Sequence, residues 1–410
     1  MQNGLLITGS WRDPALCPVE IVERKGLGHP DTLADGIADA VSIAYSRHCL
    51  REFGAVLHHN LDKVYVGGGH FTCGYGWSKA HAPVRVVLNG RMSGSFGGKQ
   101  VDIESIQEEA ARQYLSSFLP HLSPEQTVVM PNATQHTQRD RWFAPTTLAD
   151  LPERQSLLAN DTSLCVAHAP YTTCEKLALG LEQALWRWTD GEPASPLFTD
   201  IGQDVKVIVC RNARKAAVTI NVPFLSNTVT SRENYEERVR EVERYLRVKA
   251  DDLVAGDSLD VLLRVNPLQS GEYRTYLLAT GSCVECGEEG LVGRGNNMSG
   301  IISACRPHSM ESPFGKNPVY HTGRVLGHLI NNLAWAIHRK LGMPCSVYAQ
   351  TVNQGALLPP EQLVVELPSL AVESSIEELV DREVIRDDYL DLILDKPATL
   401  KPVALSAKED

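Results

Sequence analysis

The stretch Val22–Ala44, VERKGLGHPDTLADGIADAVSIA, joins a charged, glycine-containing loop to an amphipathic segment. Apolar residues recur at helical spacing after the loop, which predicts a helix with one apolar face. Pro30 suits the first helical position, and Asp31 lies where a carboxylate is favoured by the positive end of the helix. Asp31, Asp35 and Asp39 follow at four-residue steps, so we predict that they line one side of the helix, away from the core.

The loop before this helix brings several polar groups into a short space. It contains two cations, two glycines and a histidine, in the run Arg24-Lys25-Gly26-Leu27-Gly28-His29. Carboxylates near a glycine-rich loop suit a hard cation, and cations with loop amides suit a polyphosphate. The alternative is a well-capped surface helix without a ligand, which a Pro-Asp start alone would favour. The combined pattern favours a site for a metal-bound anion.

Length and composition limit the classes of protein that this chain can represent. Its 410 residues exceed the size of a usual single core, so we expect two or three subdomains. The formal net charge of −11 argues against broad binding to nucleic acid or to an anionic membrane. The sequence has no apolar run of about twenty residues and no N-terminal secretory signal, which predicts a cytoplasmic protein.

Three further segments extend the set of predicted features. Asp62-Lys63 lies at the start of an alternating apolar strand, and a carboxylate beside an ammonium suits a metal-bridged phosphate. Residues 120–158 are rich in proline and poor in periodicity, which predicts a long variable loop region. The polar run Asn160-Asp161-Thr162-Ser163 follows, and by itself it is typical of a simple Asx-type turn.

A second dense stretch, residues 280–317, combines glycines with cations and carboxylates. Its fragments are Glu288-Glu289-Gly290, Gly293-Arg294-Gly295-Asn296-Asn297, Arg306-Pro307-His308-Ser309-Met310-Glu311 and Gly315-Lys316-Asn317. Glycine lets the backbone approach a phosphate closely, and Arg and Lys supply the counter-charge. Because the stretch also has little apolar periodicity, we interpret it as part of a functional site.

These segments together resemble the archaeal-type S-adenosylmethionine synthetases (methionine adenosyltransferases). The matching segments, in the order found in that family, are VEIVERKGLGHPDTLADGIADAVS, LHHNLDKV, LANDTS, VGRGN and RPHSMESPFGKNPV. They run from residue 19 to about residue 330, with weaker correspondence beyond. Strands and helices alternate three times along the chain, which predicts an α+β fold. The resemblance implies three related α+β subdomains with pseudo-threefold symmetry, interleaved in a single catalytic unit over residues 1–410.

The resemblance also implies a reaction and an assembly. The family joins ATP and methionine into S-adenosylmethionine and cleaves the bound tripolyphosphate to phosphate and diphosphate. Mg²⁺ is implied on the phosphates, and a monovalent cation such as K⁺ is common. The usual assembly is a homodimer with shared active sites. A thioether sulfur is a good neutral nucleophile, so the reaction requires alignment and leaving-group stabilisation rather than a general base.

The resemblance assigns roles to individual residues of this chain. His29 is expected to donate a hydrogen bond to the departing oxygen, and Asp31, with Asp62 as a weaker second ligand, is expected to hold Mg²⁺. The residues expected to clamp the tripolyphosphate are Lys63, Arg294 and Lys316. The residues expected to contact nucleotide, cofactor or methionine groups are Gly28, Asn160, Asp161, Thr162, Ser163, Gly293, Gly295 and Ser309.

Several positions depart from the family pattern. The family carries a GQGSVD nucleotide segment where residues 133–140 read ATQHTQRD, without glycine. The pair Glu288-Glu289 replaces two aspartates. Asn297 stands where a basic residue is usual, and His308 stands where methionine is usual. Two interpretations of these changes stay open: they alter the amino-acid substrate, the nucleotide or the rate, or they are neutral.

Three hypotheses about function follow. The first is an ATP-dependent adenosyltransferase acting on methionine. The second is a divergent paralogue that adenosylates another sulfur acceptor or only cleaves a polyphosphate, which the altered 133–140 segment favours. The third is a catalytically silent nucleotide-binding subunit, and the retained site residues, including His29 and Lys316, argue against it.

Overall fold

The computed structural model describes residues 4–134, 143–189, 192–267, 275–370, 373–395 and 397–400. Residues 135–140, in the segment without glycine, lie outside these ranges. The helices are α1 Pro30–Phe53, α2 Ile103–Phe118, α3 Pro152–Gln155, α4 Thr173–Gln183, α5 Arg232–Leu253, α6 Thr322–Leu341, α7 Glu373–Glu383 and α8 Tyr389–Leu394. Among these described helices, none has the length and apolar character that a membrane crossing requires.

Three of the sheets have four or five strands each. The strands in chain order are β1 Leu5–Thr8, β2 Val19–Lys25, β3 His59–Gly67, β4 His70–Gly74, β5 Trp77–Ala82, β6 Val84–Met92, β7 Ser95–Phe96, β8 Lys99–Gln100, β9 Thr127–Thr134, β10 Leu164–Ala169, β11 Trp186–Thr189, β12 Glu192–Pro196, β13 Lys206–Asn212, β14 Lys215–Asn221, β15 Phe224–Leu225, β16 Asp260–Val265, β17 Leu277–Leu278, β18 Glu289–Leu291, β19 Ile302–Ser303, β20 Cys345–Gln350 and β21 Gln362–Glu366. The first sheet has the order β18-β3-β6-β9, the second β16-β14-β13-β2-β19, and the third β1-β21-β20-β10.

Each of these three sheets packs one face against helices and has its own hydrophobic core. The first sheet packs against α1 and α2, the second against α4 and α5, and the third against α6, α7 and α8. The second sheet includes β2, which precedes α1, and β19, which follows β18, so the three units are interleaved along the chain. The arrangement confirms the predicted α+β fold of three layered subdomains.

The predicted start of α1 is confirmed. His29 is the N-cap residue, and its Nδ1 accepts a hydrogen bond from the Asp31 amide at 3.2 Å, with Pro30 in the first helical position. The helix ends at Gly54, whose left-handed φ of 70° favours glycine. These local signals place the loop and the first carboxylate at one end of a long, buried helix.

The prediction that Asp35 and Asp39 face away from the core is wrong. Both side chains are fully buried, because residues 290–317 and, at Asp39, helix α6 pack against that side of α1. Asp35 accepts a hydrogen bond from the Gly293 amide at 2.7 Å, and Asp39 accepts one from the Gly315 amide at 2.9 Å. The two carboxylates therefore hold the second dense stretch of the sequence against the first.

Residues 120–158, for which the sequence predicts a loop region, contain a strand. β9 pairs in parallel with β6 at the edge of the first sheet. Pro131 lies within β9, and an edge strand tolerates proline because one row of its amides needs no partner in the sheet. The prolines that favoured a loop are therefore compatible with an edge strand.

Candidate active site

The loop before α1 and the segment after β18 meet at the N-terminus of α1. Lys25 Nζ donates to Asp31 Oδ2 at 2.9 Å and to the Arg294 carbonyl at 2.6 Å. The Leu291 amide donates to Asp31 Oδ1 at 3.0 Å. Residues predicted from two distant stretches of the sequence are thus in direct contact.

Two of the predicted glycines are required for this close packing. A Cβ atom on Gly295 would lie 2.1 Å from Asp35 Oδ2, and a Cβ atom on Gly28 would lie 2.5 Å from the Gln203 carbonyl carbon. Both distances are far shorter than a van der Waals contact, so any larger residue would displace its neighbours. The contact of either glycine with a nucleotide stays a prediction.

His29 presents a neutral hydrogen-bond donor. Burial lowers the pKa of His29 to about 4, and the charges of Lys25 and Lys206 act in the same direction. Because Nδ1 accepts the hydrogen bond from the Asp31 amide, the proton of the neutral ring is assigned to Nε2. The ring can therefore donate to a ligand oxygen without adding a positive charge.

Lys206 lies close to His29, although the sequence gives no signal for it. It lies in β13 opposite Lys25 of β2 and forms an ion pair with Glu23 at 3.2 Å. A lysine that begins an alternating apolar strand gives no functional signal by itself. Only the pairing of β2 with β13 brings it near His29. The His29 cluster is defined as Lys25, His29, Asp31, Lys206 and Arg294.

A second group of predicted residues lies around Lys316. The side chain of Lys316 is buried and forms an ion pair with Glu311, and its backbone bridges to Asn60 at the start of β3. The Thr322 amide at the N-terminus of α6 donates to Asn160 Oδ1 at 2.9 Å. The Lys316 cluster is defined as Asn60, Asn160, Glu311 and Lys316.

The turn after Asn160 is held against the third sheet. The Asn353 amide donates to Thr162 Oγ1 at 2.9 Å, and the Thr351 amide donates to the Ser163 carbonyl at 3.0 Å. Asp161 is exposed, and its carboxylate accepts a hydrogen bond from the adjacent Thr162 amide at 2.7 Å. The hydroxyl of Thr162 and the carbonyl of Ser163 thus position the turn, and contact between Asp161 and a ligand stays a prediction.

Ser309 and Gly293 also make hydrogen bonds within the protein. Ser309 Oγ accepts from the Val166 amide at 2.8 Å and donates to the Val166 carbonyl at 3.2 Å. The Gly293 amide donates to Asp35. These bonds fix the second dense stretch to β10 and α1, and ligand contacts by either residue stay predictions.

Asp62 and Lys63 lie on β3, between the two clusters. They form an ion pair with each other at 3.2 Å, and the Lys63 side chain is 69% exposed. Arg294 is exposed as well. Lys63 therefore extends toward solvent from the outer face of the first sheet, and within the described residues no ion pair joins Asp62 or Lys63 to Asp31.

The two clusters of one chain are separated along α1. The Lys316 carbonyl accepts a hydrogen bond from Ser42 Oγ at 3.2 Å, and Ser42 follows His29 by thirteen residues. At about 1.5 Å of rise per residue, the backbones of His29 and Lys316 are roughly 20 Å apart. One chain therefore does not bring both side chains to the same phosphate group.

Asp31 is the carboxylate that best fits a bound Mg²⁺. Burial alone would raise its pKa, but hydrogen bonds from Lys25 and Leu291 hold the pKa of Asp31 below its usual value. Each oxygen accepts one hydrogen bond and keeps a lone pair, which suits an ion that takes one or two carboxylates beside phosphate oxygens. Among the residues that the structure describes, no group of three or more His, Cys, Asp or Glu side chains could hold a metal alone. The site fits a metal bound jointly with a phosphate. The described residues do not show which groups would bind K⁺.

Two positions that depart from the family pattern contact each other. Asn297 Nδ2 and His308 Nδ1 lie 3.0 Å apart. The two departures from the family pattern, at Asn297 and at His308, are therefore one local change. They lie next to the segment that contains Arg294.

Comparison with solved structures identifies the class of fold. The structure aligns with an unusual S-adenosylmethionine synthetase from Campylobacter jejuni with a TM-score of 0.57 and 14% sequence identity, covering 96% of this chain and 95% of that chain. At this level of identity the likeness shows the fold alone. The three-sheet architecture is that of an S-adenosylmethionine synthetase.

Sequence comparisons identify the family. The family described as S-adenosylmethionine synthetase (AdoMet synthetase) matches residues 10–379. The S-adenosylmethionine synthases of Caldivirga maquilingensis and Methanosarcina barkeri are each 32% identical, over 393 and 375 residues that cover 93% and 91% of both chains. An uncharacterized protein of Streptococcus pyogenes is 36% identical over 386 residues, 93% of each chain. The chain belongs to the S-adenosylmethionine synthetase family, a family of ATP-binding transferases, and the resemblance to its archaeal members is confirmed.

Proposed function

We propose that this protein transfers the adenosyl group of ATP to the sulfur of methionine. The observation that carries the proposal is the His29 cluster. It gathers one neutral N–H donor, three cations and one carboxylate at the N-terminus of α1, and such a set suits a polyphosphate leaving group. The family membership of the chain supports the same reaction.

In the proposed reaction, the lone pair of the methionine sulfur forms a bond to the ribose C5′. The C5′–oxygen bond breaks, and its electron pair leaves with the tripolyphosphate. His29 Nε2–H donates to the departing oxygen, while Lys25, Lys206 and Arg294 balance the phosphate charge. Mg²⁺, when held by Asp31, supplies further neutralisation of that charge. A thioether has no proton to lose, so no base is needed, and water then cleaves the tripolyphosphate to diphosphate and phosphate.

We also propose that two copies of the chain share each active site. The three sheets carry exposed apolar residues on their outer faces, namely Leu6, Val19, Ile21, Met130, Ile208, Leu262 and Leu291. Alternate residues of a strand share a face, so Glu23 and Lys206 lie on the same outer face as Ile21 and Ile208. The His29 cluster therefore borders a surface that a second copy would cover. The Lys316 cluster of that copy would supply the groups that one chain keeps roughly 20 Å away.

Product analysis tests the proposed reaction. The protein is incubated with ATP, Mg²⁺ and K⁺, with and without methionine, and the products are measured by mass spectrometry and phosphate analysis. His29→Ala is expected to lower turnover about 100- to 1000-fold, the loss typical of one donor to a developing negative charge. His70→Ala, at an exposed position of β4, is the control and is expected to turn over as the wild type does.

Other results would support the competing hypotheses. Polyphosphate cleavage that does not depend on methionine, or turnover with another thioether alone, would favour the divergent paralogue. ATP binding without turnover would favour the silent subunit.

Subunit mixing tests the shared site. His29→Ala and Lys316→Ala are each expected to be nearly inactive, because every site of either homodimer lacks one group. When the two variants are mixed and reassociated, half of the dimers are mixed dimers, and one of the two sites in each contains neither substitution. About a quarter of the wild-type activity is therefore expected. Activity that stays at the level of the separate variants would show that each site is built from one chain.

A further inference from the structure

Two cysteines lie one helical turn apart between β17 and β18. The residues Cys283–Cys286 form a short 3₁₀ helix, which begins after Ser282 and ends at Gly287. The CxxC turn is defined as residues 283–286. In a 3₁₀ helix the side chains of residues i and i+3 lie on the same side, and a rise of about 2 Å per residue places their Cα atoms about 6 Å apart. That separation is within the range of roughly 4.4–6.8 Å that a disulfide spans.

The two thiols of the CxxC turn differ in their access to solvent. Neither cysteine is in a disulfide, and Cys286 is exposed whereas Cys283 is half-buried. The Cys283 thiol donates a hydrogen bond to Cys286 Sγ, which lowers the pKa of Cys286 and raises the pKa of Cys283. An exposed thiol of lowered pKa reacts first with an oxidant, and a thiol beside it can then resolve the product.

Polar contacts fix the backbone of the CxxC turn. Tyr276 Oη lies 3.1 Å from Cys283 Sγ, and the Cys283 amide donates to Asp204 Oδ2 at 2.8 Å. Glu285 is buried, and its carboxylate accepts a hydrogen bond from the Thr280 amide at 2.6 Å. Because the turn is already held in place, joining the two sulfurs costs little further conformational freedom.

Metal binding is the alternative use of such a pair, and a structural zinc takes four ligands. Cys73 on β4 lies near the turn. Burial raises the pKa of Cys73 to about 11, and the charges of Glu285 and Cys286 raise it further, which keeps this thiol protonated and unreactive. Among the residues that the structure describes, no group of three or more His, Cys, Asp or Glu side chains could hold a metal. The pair therefore fits redox chemistry better than metal binding.

We propose that Cys283 and Cys286 form a reversible disulfide, with a peroxide as the oxidant, beside the loop that carries His29. The Cys286 sulfur attacks one oxygen of hydrogen peroxide, the O–O bond breaks, and the leaving hydroxide combines with the proton lost by the thiol to give water. Cys286 is then a sulfenic acid. The Cys283 sulfur attacks Cys286 Sγ, the S–O bond breaks, and the leaving hydroxide takes the Cys283 proton to give a second water. The two thiols lose two hydrogen atoms, and one peroxide is reduced to two molecules of water.

The CxxC turn is connected to the His29 loop through Ser282. Ser282 is 0% exposed, and its Oγ donates to the Gly28 carbonyl at 2.7 Å. The Gly28 amide donates to the Gln203 carbonyl at 2.9 Å, and Gly28 immediately precedes His29. A disulfide draws the two sulfurs to about 2.05 Å, so it is expected to shift the turn that begins after Ser282 and the loop before His29. The consequence for activity rests on the proposed adenosyl transfer, whereas the disulfide does not.

Peptide mapping by mass spectrometry, with and without hydrogen peroxide, tests the disulfide. Trypsin cleaves after Arg274 and Arg294, so both cysteines lie in one peptide and Cys73 lies in another. After peroxide treatment and alkylation of free thiols, this peptide is expected to be unalkylated and lighter by the mass of two hydrogen atoms. Dithiothreitol is expected to restore both thiols.

Two variants support the assignment of the thiols. Cys73→Ser is the matched control, because it removes the neighbouring thiol and leaves the pair, and it is expected to give the same product as the wild type. In Cys283→Ser, Cys286 is expected to stop at the sulfenic acid, which dimedone traps. A cross-link between this peptide and the one that contains Cys73 would overturn the inference. So would full alkylation of both thiols after peroxide treatment, or their separate oxidation to sulfinic acids.

Activity measurements test the connection to His29 separately. The oxidised wild type is expected to form S-adenosylmethionine about 10-fold more slowly or worse, since a misplacement of about 1 Å can cost about 100-fold, and dithiothreitol is expected to restore the rate. Cys283→Ser/Cys286→Ser is expected to match the reduced wild type and to keep that rate in peroxide. Equal rates of the oxidised and reduced wild type, or an equal loss in the double variant, would overturn the connection. If the reduced wild type forms no S-adenosylmethionine, the proposed function fails, while the peptide map still decides whether the disulfide forms.

Discussion

Replacing Arg324 with methionine is expected to destabilise the protein strongly. Arg324 on α6 and Asp39 on α1 form an ion pair, and both side chains are 0% exposed. Asp39 also accepts hydrogen bonds from the Gly315 and Ala398 amides at 2.9 and 2.8 Å. Arg324→Met leaves this carboxylate buried, with two amide donors but without its counter-charge.

The expected magnitude follows from the burial of the pair. Removing one partner of a buried ion pair costs about 3–5 kcal/mol, whereas an exposed pair contributes about 0–1 kcal/mol. With an unfolding entropy of about 2.1 cal/mol/K per residue, that loss over 410 residues lowers Tm by roughly 4–6 °C. The double variant Arg324→Met/Asp39→Asn removes both charges and keeps an acceptor for a backbone amide. Its loss of unfolding free energy is therefore expected to be about 2 kcal/mol smaller than the sum of the losses in the two single variants.

Scanning calorimetry measures the effect, and urea unfolding provides a second probe. Arg232→Met is the matched control, because it breaks an exposed pair with Glu236 at 3.0 Å. Its Tm is expected to change by less than about 1 °C. The reasoning is refuted if Arg324→Met unfolds at the same temperature as Arg232→Met. Strictly additive losses in the double variant would also refute it, because they would mean that the two buried charges do not interact.

Three further outcomes concern helix packing, pH and phosphate binding. Gly327→Ala in α6 is expected to stabilise the protein by about 0.5–1 kcal/mol, because the nearest atom to its Cβ would be Met298 Cε at 3.6 Å. Gly36→Ala is expected to destabilise it, because its Cβ would lie 1.9 Å from the Tyr114 hydroxyl. Burial raises the pKa of Asp204 to about 7, so the folded state keeps a proton that the unfolded state has lost. The contribution of this group to the free energy of unfolding is present at low pH and falls by ~1.4 kcal/mol per pH unit between roughly pH 4 and pH 7. Urea unfolding at several pH values measures this slope, and Asp204→Asn is expected to remove it. Lys206→Ala is expected to lower kcat/KM for ATP about 10- to 100-fold, while the exposed Lys215→Ala leaves it unchanged. Equal Tm values for the glycine variants, equal pH slopes with and without Asp204, or equal kinetics for the lysine variants would contradict these expectations.

The start of α1 was predictable because local chemistry decides it. Pro30 has no amide hydrogen to satisfy, and the histidine before it accepts the hydrogen bond of the next free amide. Both effects act within a few residues of the chain. A sequence pattern is therefore sufficient to place His29 and Asp31 at the end of a helix.

The environment of Asp35 and Asp39 was not predictable in the same way. Their spacing shows that they share a face of α1, but it does not show whether water or protein covers that face. The hydrogen bond from the Gly293 amide to Asp35 joins residues 258 positions apart. No local pattern reports such a contact, and the burial of the two carboxylates follows from the fold alone.

The position of Lys206 beside His29 was missed for a related reason. Lys206 is a single cation in a strand of alternating burial, where a charged residue is usually a solvated one. It comes near His29 only because β2 pairs with β13. The separation of His29 and Lys316 likewise depends on the length of α1, since the order of the motifs along the chain does not show it.

The most direct test of the proposed function follows a labelled methionine. Purified protein is given ATP, Mg²⁺, K⁺ and isotopically labelled methionine, and the products are identified by mass spectrometry. We expect labelled S-adenosylmethionine together with diphosphate and phosphate in equal amounts, and we expect this product to be lost in His29→Ala. Consumption of ATP by folded protein, with the label remaining in methionine, would contradict the proposed function.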